Sequence, residues 1–164
     1  MSACGTHADA VAIYYQHEHD VISERLGWVE PCGAGEDRTV YRVGGTVYKI
    51  PTRATANPYD HGMQEEARRR GYRWVPAAST LWTVRDGVWD EEFDVAVLAM
   101  PYLEDDGSSP DPALMAEMQA QAGGGVDGTN YVVIAGQPVV IDFCTVVLNS
   151  EARTPLTTET GEPR

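Results

Sequence analysis

Lysine is almost missing from this chain: of its 12 basic residues, 11 are arginine and Lys49 is the only lysine. Since arginine supplies the other cations, a lone lysine in the apolar run 46–50 invites a chemical explanation. Lysine is a compact point charge on a flexible stem, which arginine's planar fork does not replace. The alternative is that Lys49 has no special function and that a lysine-poor composition contains one lysine by chance.

Positive charge is scarce in general, with 12 basic against 25 acidic residues and a formal net charge of -13. Phosphate contacts need clustered cations, so a basic nucleic-acid-binding surface is excluded. The only basic cluster, 68–70, is expected to decorate a solvated helix face. An acidic protein could bind a basic partner, although charge alone specifies none.

Cysteine is also sparse and occurs an odd number of times, at Cys4, Cys32 and Cys144. Their spacing fits no zinc pattern and no signal peptide precedes them, so reduced thiols in a cytoplasm are expected. No apolar run approaches the length needed to cross a bilayer, which predicts no membrane partner.

The length of 164 residues predicts one domain with tails. Its mixture of helix and strand patterns predicts the class α+β. We divide it into a leader and helix (1–29), a domain (30–148) and a disordered tail (149–164). The apolar patterns predict helices at 8–26, 60–70 and 111–122, strands at 39–43, 47–50, 80–84 and 93–100, and a final hairpin at 131–143. Asp60 and Asp111 are expected to cap the second and third helices, with Pro112 at the first position of the third. A two-residue turn is expected at 44–45, a polar loop at 52–60 and an acidic loop at 104–109.

Glycines and acids accompany Lys49 in a definite order. Gly33 and Gly35 lie in a turn between strands, where backbone N–H groups can approach phosphate, although a plain turn is an alternative. A helix carboxylate, Glu65 or Glu66, follows Lys49. Glu66 is the better inward candidate because it shares a helical face with apolar residues, and a solvated glutamate is the alternative.

Asp142 ends an apolar strand, where an aspartate costs free energy unless it is paired or binds a metal. Asn130, before the same hairpin, could supply a second oxygen. Mg²⁺ is typically bound by few protein carboxylates together with substrate phosphates. These two residues are therefore the predicted metal ligands.

In this order, the residues resemble the protein-kinase-like superfamily, in particular the short kinase-like proteins carried by phages and the aminoglycoside phosphotransferases. The resemblance implies a kinase-like N-lobe, made of an antiparallel sheet and one helix. It also implies a strongly reduced C-lobe that ends shortly after the D-F-G-like position. A phage-encoded chain would act in the host cytoplasm.

The resemblance also implies roles for single residues. The cofactors would be ATP and Mg²⁺. Asp127 would orient the acceptor hydroxyl, Lys49 would bind phosphates and Glu66 would hold Lys49. The implied contacts to ATP are Gly33, Gly35, Lys49, Glu66, Met100, Tyr102 and Leu103, and the implied metal ligands are Asn130 and Asp142.

The chain departs from the family pattern at the catalytic loop D-x-x-x-x-N. Gly125 stands where the aspartate belongs, Asp127 lies two residues closer to Asn130, and Cys144 replaces the glycine of D-F-G. Three functions therefore stay open: an ATP-dependent phosphotransferase acting on a protein or small-molecule hydroxyl, a pseudokinase-type binding module that modulates a partner protein, and an unrelated α+β binding protein without nucleotide.

Overall fold

Two units make up the computed structural model, which describes residues 3–123 and 125–149. The first unit comprises residues up to 62 and residues 76–102, and the second comprises residues 63–75 and those from 103 onward. The fold class is α+β, as predicted, and the tail predicted at 149–164 lies outside the described residues from residue 150 onward.

The first unit is built on a five-stranded antiparallel sheet in the order β1-β2-β3-β5-β4. Its strands are β1 (Pro31–Ala34), β2 (Arg38–Val43), β3 (Thr46–Pro51), β4 (Thr80–Asp86) and β5 (Phe93–Pro101). The predicted two-residue turn joins β2 to β3, with Val43 opposite Thr46. Gly44 has a φ of 61° there, a conformation that glycine adopts without steric cost.

Helix α1 (His7–His19) covers one face of this sheet. Thr6 caps it by accepting a hydrogen bond from the Asp9 N–H at 3.1 Å. The shared core includes Ile13 and Tyr14 of the helix and Tyr48 and Ile50 of β3. The helix is shorter than the predicted 8–26 because Asp20 turns left-handed with a φ of 55°.

Helix α2 (Ala56–Arg69) begins four residues before the predicted start at Asp60. The segment 52–60 resembled a loop partly because it contains Pro58. Proline is tolerated in the first turn of a helix, where N–H groups have no partner within the helix. Asp60 is consequently a residue of the second turn rather than a cap. The division between the two units falls within α2.

The second unit contains the C-terminal half of α2, helix α3 (Pro112–Gln121) and the hairpin of β6 (Tyr131–Ile134) and β7 (Gln137–Val140). Asp111 caps α3 and Pro112 follows it, as predicted. Strand β7 ends before Asp142, two residues earlier than the apolar pattern suggested. Trp74 and Phe143 stack at 5.9 Å between ring centroids in the core of this unit.

The predicted acidic loop 104–109 has a structural role in the second unit. Asp105 Oδ2 accepts a hydrogen bond from the Val133 N–H at 2.9 Å, and Asp106 Oδ2 accepts one from the Ala135 N–H at 2.6 Å. Hydrogen bonds from Ser108 and from the Ala135 N–H hold the pKa of Asp106 below its usual value. The loop therefore supports the β6–β7 hairpin with its carboxylates.

Candidate functional site

Lys49 points to the face of the sheet opposite α1. Side chains alternate along a strand, and its neighbours Tyr48 and Ile50 belong to the core under α1. Only 5% of Lys49 is exposed. Burial of a lysine disfavours its charged form unless an anion compensates it, so the nature of its partners decides what this residue does.

The carboxylate next to Lys49 is that of Asp60. Lys49 Nζ lies 3.5 Å from Asp60 Oδ2, and Arg38 Nη1 lies 2.5 Å from the same oxygen. Asp60 has no exposed surface, and Arg38 is only 5% exposed. The register of β2 and β3 explains why Arg38 and Lys49 lie near each other. Val40 lies opposite Lys49, and Arg38, two residues from Val40, is on the same face of the sheet.

Asn57 fixes the first turn of α2 to the sheet. Its Nδ2 donates to the carbonyl oxygens of Lys49 at 2.7 Å and Ala96 at 2.9 Å. Its Oδ1 accepts a hydrogen bond from Arg38 Nη1 at 3.3 Å. Asp60 lies three residues further, on the same helical face, so Asn57 determines where the carboxylate is held.

Glu66, the predicted partner of Lys49, lies on the half of α2 that belongs to the second unit. Its carboxylate accepts hydrogen bonds from Arg69 at 2.7 Å and Arg70 at 2.8 Å. These hydrogen bonds, from Arg69 first and then Arg70, lower its pKa to about 2. The helix carboxylate that the first unit places at Lys49 is that of Asp60. Glu65, the other candidate, pairs with Arg68 at 3.0 Å.

Three apolar side chains share the sheet face of Lys49. Leu98 lies opposite Lys49 in the register, and Met100 lies opposite Val47. Val47 is 7% exposed, Leu98 0% and Met100 1%. Lys49 therefore shares its sheet face with buried apolar side chains, which include Met100, the residue predicted to contact adenine.

Tyr102 and Leu103 follow β5. The Tyr102 N–H donates to the Gly45 carbonyl oxygen at 2.8 Å, and the Arg42 guanidinium lies 3.7 Å from the centre of the Tyr102 ring. This cation–π contact and the backbone hydrogen bond tie the end of β5 to the β2–β3 turn. Leu103 is partly exposed and begins the second part of the second unit.

Gly33 and Gly35 lie in the exposed hairpin of β1 and β2. The Gly35 N–H donates to the Arg38 carbonyl oxygen at 2.9 Å, which closes the turn. A Cβ at Gly35 would meet no atom within 4 Å, and neither glycine has a φ in the left-handed region. The fold therefore does not require glycine at position 35.

In the second unit, the structure brings the two predicted metal ligands together. Asn130 is 7% exposed, and its carbonyl oxygen accepts the Asp142 N–H at 3.2 Å. Its Nδ2 donates to the Asp142 carbonyl oxygen at 3.3 Å, and its Oδ1 accepts the Asp127 N–H at 3.0 Å. Asp142 Oδ1 accepts the Cys144 N–H at 3.0 Å. A residue with an amide oxygen and a residue with a carboxylate, twelve apart in the sequence, are thus joined by hydrogen bonds.

These two side chains fit a hard cation by their chemistry. Carboxylate and amide oxygens are the ligands that Mg²⁺ takes in proteins, with substrate phosphates and waters completing its shell. The hydrogen bonds of Asn130 direct its oxygen to the side of Asp127 and its nitrogen to the Asp142 carbonyl. An amide oxygen has two lone pairs, so one is left after the Asp127 N–H is accepted.

Asp127, the predicted acceptor-orienting residue, is exposed at the start of the turn 127–130. Its Oδ1 accepts hydrogen bonds from the N–H of Thr129 at 2.8 Å and from its hydroxyl at 2.6 Å. These bonds hold the pKa of the Asp127 carboxyl below its usual value, so it is ionised at neutral pH.

Gly125, where the resemblance would place an aspartate, has no room for a side chain. A Cβ there would lie 2.1 Å from the backbone oxygen of Thr145. The Thr145 hydroxyl also donates to the Gly125 carbonyl oxygen at 2.8 Å. The close approach of these two segments therefore explains the glycine at this position.

Arg38, Asn57 and Asp60 were missed as site residues by sequence reasoning. The sequence pattern indicates Asp60 only as a helix cap and gives Arg38 and Asn57 no role at the site. The spacing of Asn57 and Asp60, one helical turn apart, could have indicated that they act together. This inference requires a helix that begins at Ala56.

Comparison of the sequence with models of protein families gives no match, and a search of curated proteins gives none either. Among the helices of the described residues, none has the length and apolar character needed to cross a membrane. Function is therefore inferred from the two clusters of side chains described above.

Proposed function

We propose that this chain binds ATP with Mg²⁺ and acts as a minimal kinase-like phosphotransferase. The observation that carries the proposal is the buried Lys49 on the third strand, 3.5 Å from an aspartate of the next helix. Protein kinases use a lysine of the third strand for the phosphates and pair it with a helix carboxylate. Asp60 takes the role that Glu66 was expected to have.

The first unit would hold the base and the phosphates. Val47, Leu98 and Met100 are buried apolar side chains on the sheet face of Lys49, and a bound purine ring would pack against them. The charge of Lys49 would stabilise phosphate oxygens, and Asp60 would keep the lysine ionised. The hairpin of Gly33 and Gly35 would let backbone approach phosphate closely, since position 35 has no structural need for glycine.

The second unit would hold the metal ion. Asn130 and Asp142 would supply two oxygen ligands to Mg²⁺, an ion that neutralises charge on the phosphoryl group in kinase reactions. Asp127, ionised and exposed, would orient the acceptor hydroxyl. Phosphoryl transfer depends mainly on positioning and electrostatic stabilisation, so this small set of charges suffices for the reaction.

Thermal unfolding with and without Mg-ATP tests the binding step. Ligand at 100 times its Kd stabilises by about 2.7 kcal/mol, which raises Tm by about 5–11 °C for a domain of this size. We expect this rise in the wild type and its loss in Lys49→Met. Asp142→Asn should lose the dependence on Mg²⁺, whereas Asp94→Asn, at an exposed site, should behave as the wild type. No rise in the wild type would contradict nucleotide binding.

A binding module without catalysis is the second candidate. It is favoured by the catalytic loop, where Gly125 cannot carry an aspartate and the Asp127 carboxylate is engaged by Thr129. Transfer of labelled phosphate to protein, peptide and small-molecule acceptors distinguishes the two. A general base contributes typically 10²–10⁴-fold, so Asp127→Ala should slow an active enzyme by about that factor. Nucleotide binding without measurable transfer would support the binding module.

A further inference from the structure

The turn between β4 and β5 exposes three large apolar side chains within six residues. Val88 is 53% exposed, Trp89 61% and Phe93 45%. Exposed aromatic side chains of this kind are characteristic of protein interaction sites, where tryptophan often contributes most to binding. We call residues 87–93 the Trp89 turn.

Contacts from α1 hold this turn in place. The buried Asp86 carboxylate accepts hydrogen bonds from the Val88 N–H at 3.0 Å and the Tyr14 hydroxyl at 2.6 Å. His19 Nε2 lies 2.7 Å from the same carboxylate, and the His19 ring lies 5.8 Å from the Trp89 ring. These contacts hold the turn in one conformation, which reduces the conformational entropy lost when Trp89 binds a partner.

The charge around Trp89 is negative. Asp90, Glu91, Glu92 and Asp94 surround it in the sequence, and Arg85 is the one cation on the flanking strands. Arg85 pairs with Glu92 at 3.0 Å and Asp94 at 3.1 Å. Asp90 and Glu91 make no ion pair within the described residues, so negative charge remains beside the tryptophan.

We propose that the Trp89 turn is a docking surface for a partner protein that offers an apolar pocket with a rim of lysine and arginine. The negative charge of the chain favours a basic partner over a second copy of the chain or a nucleic acid. A second copy, or a nucleic acid, would bring further negative charge to a chain of net charge -13 and would be repelled. The site is independent of nucleotide binding, because Val88, Trp89 and Phe93 take no part in the Lys49 cluster.

Selection from a displayed library of random peptides on the immobilised chain tests this surface without knowledge of the natural partner. We expect enriched peptides that combine lysine or arginine with leucine or aromatic residues. Affinities of the selected synthetic peptides are then measured by calorimetry at two salt concentrations. Binding should weaken at high salt, because the attraction is partly between exposed charges.

Trp28 provides the matched control, since it is 54% exposed and also lies in the first unit. Trp89→Ala should weaken peptide binding at least about tenfold, and Asp90→Asn with Glu91→Gln should weaken it and reduce its salt dependence. Trp28→Ala should leave affinity unchanged. Unfolding curves should show that each variant is folded.

The proposal fails if no basic peptide is enriched, if acidic or neutral peptides bind equally well, or if Trp89→Ala and Trp28→Ala have the same effect. It also fails if adding Mg-ATP or introducing Lys49→Met changes the affinity for the selected peptides, since the surface would then be part of the nucleotide site. If the chain does not bind ATP but still binds the peptides, the proposed nucleotide site is wrong and the proposed docking surface stands.

Discussion

At the scale of single residues, the central feature is that Asp60 serves two cations. Its Oδ2 is 2.5 Å from Arg38 and 3.5 Å from Lys49, so the arginine holds it more closely. Arg38 Nη1 donates both to the Asp60 carboxylate and to the Asn57 amide oxygen, and the planar guanidinium holds its donors in a fixed geometry. Arg38 therefore positions Asp60, and Lys49 keeps the longer contact.

Replacing Asp60 by asparagine should destabilise the fold strongly. Two buried cations would lose their common carboxylate, and breaking a buried pair costs about 3–5 kcal/mol. Urea unfolding measures the change. Asp37→Asn is the matched control, because the Asp37–Arg53 pair is largely exposed, and exposed pairs contribute about 0–1 kcal/mol. Equal effects of the two substitutions would contradict a structural role of the buried pair.

A side chain at Gly125 should also destabilise the chain. The Cβ of Gly125→Ala would contact the Thr145 backbone oxygen at 2.1 Å, and the shift required costs about 1–3 kcal/mol or more. Gly125→Asp should not create a catalytic base for the same reason. Gly35→Ala, where nothing lies within 4 Å, should leave unfolding unchanged and weaken only ATP binding.

At the scale of elements, α2 carries two different charge clusters. Its first half bears Asn57 and Asp60 against the sheet, and its C-terminal half bears Glu66 with Arg69 and Arg70. Helical spacing of three and four residues explains the second cluster, which is local. The cluster at Lys49 depends on strand register and cannot be derived from helix spacing.

The Glu66 cluster predicts a dependence of stability on pH. The pKa of Glu66 falls from 4.5 to about 2 in the folded chain, so its contribution is complete above about 4.5. It is lost as pH falls from 4.5 towards 2, because in this range the unfolded state binds a proton at Glu66 and the folded state does not. The stability difference between the wild type and Glu66→Gln should shrink in this window. Replacing Arg69 and Arg70 by glutamine should raise the Glu66 pKa, which NMR titration can measure.

At the scale of the whole molecule, negative charge dominates. A net charge of -13 repels itself in the folded state, and salt screens this repulsion. We expect Tm to rise when salt is increased from about 0.01 M to about 0.15 M. Sucrose of equal osmolarity is the control for effects unrelated to charge. A fall of Tm in salt would mean that favourable ion pairs outweigh the repulsion.

Much of the fold could be predicted because it depends on local patterns. The Gly44-Gly45 turn, the strands beside it and the Asp111-Pro112 start of α3 follow from residues next to one another in the chain. The start of α2 could not, because Pro58 is compatible with both a loop and the first turn of a helix. Asp60, which contacts Lys49 in the structure, therefore entered the sequence prediction only at the start of the helix.

The sequence by itself determined the α+β class, the single lysine on a buried strand, and the candidates Asn130 and Asp142. Only the tertiary structure decided that Arg38 and Asp60 join Lys49, and that backbone contact excludes a side chain at Gly125. The physical reason is that strand register and backbone approach are set by distant segments, whereas propensity and turn chemistry act over a few residues.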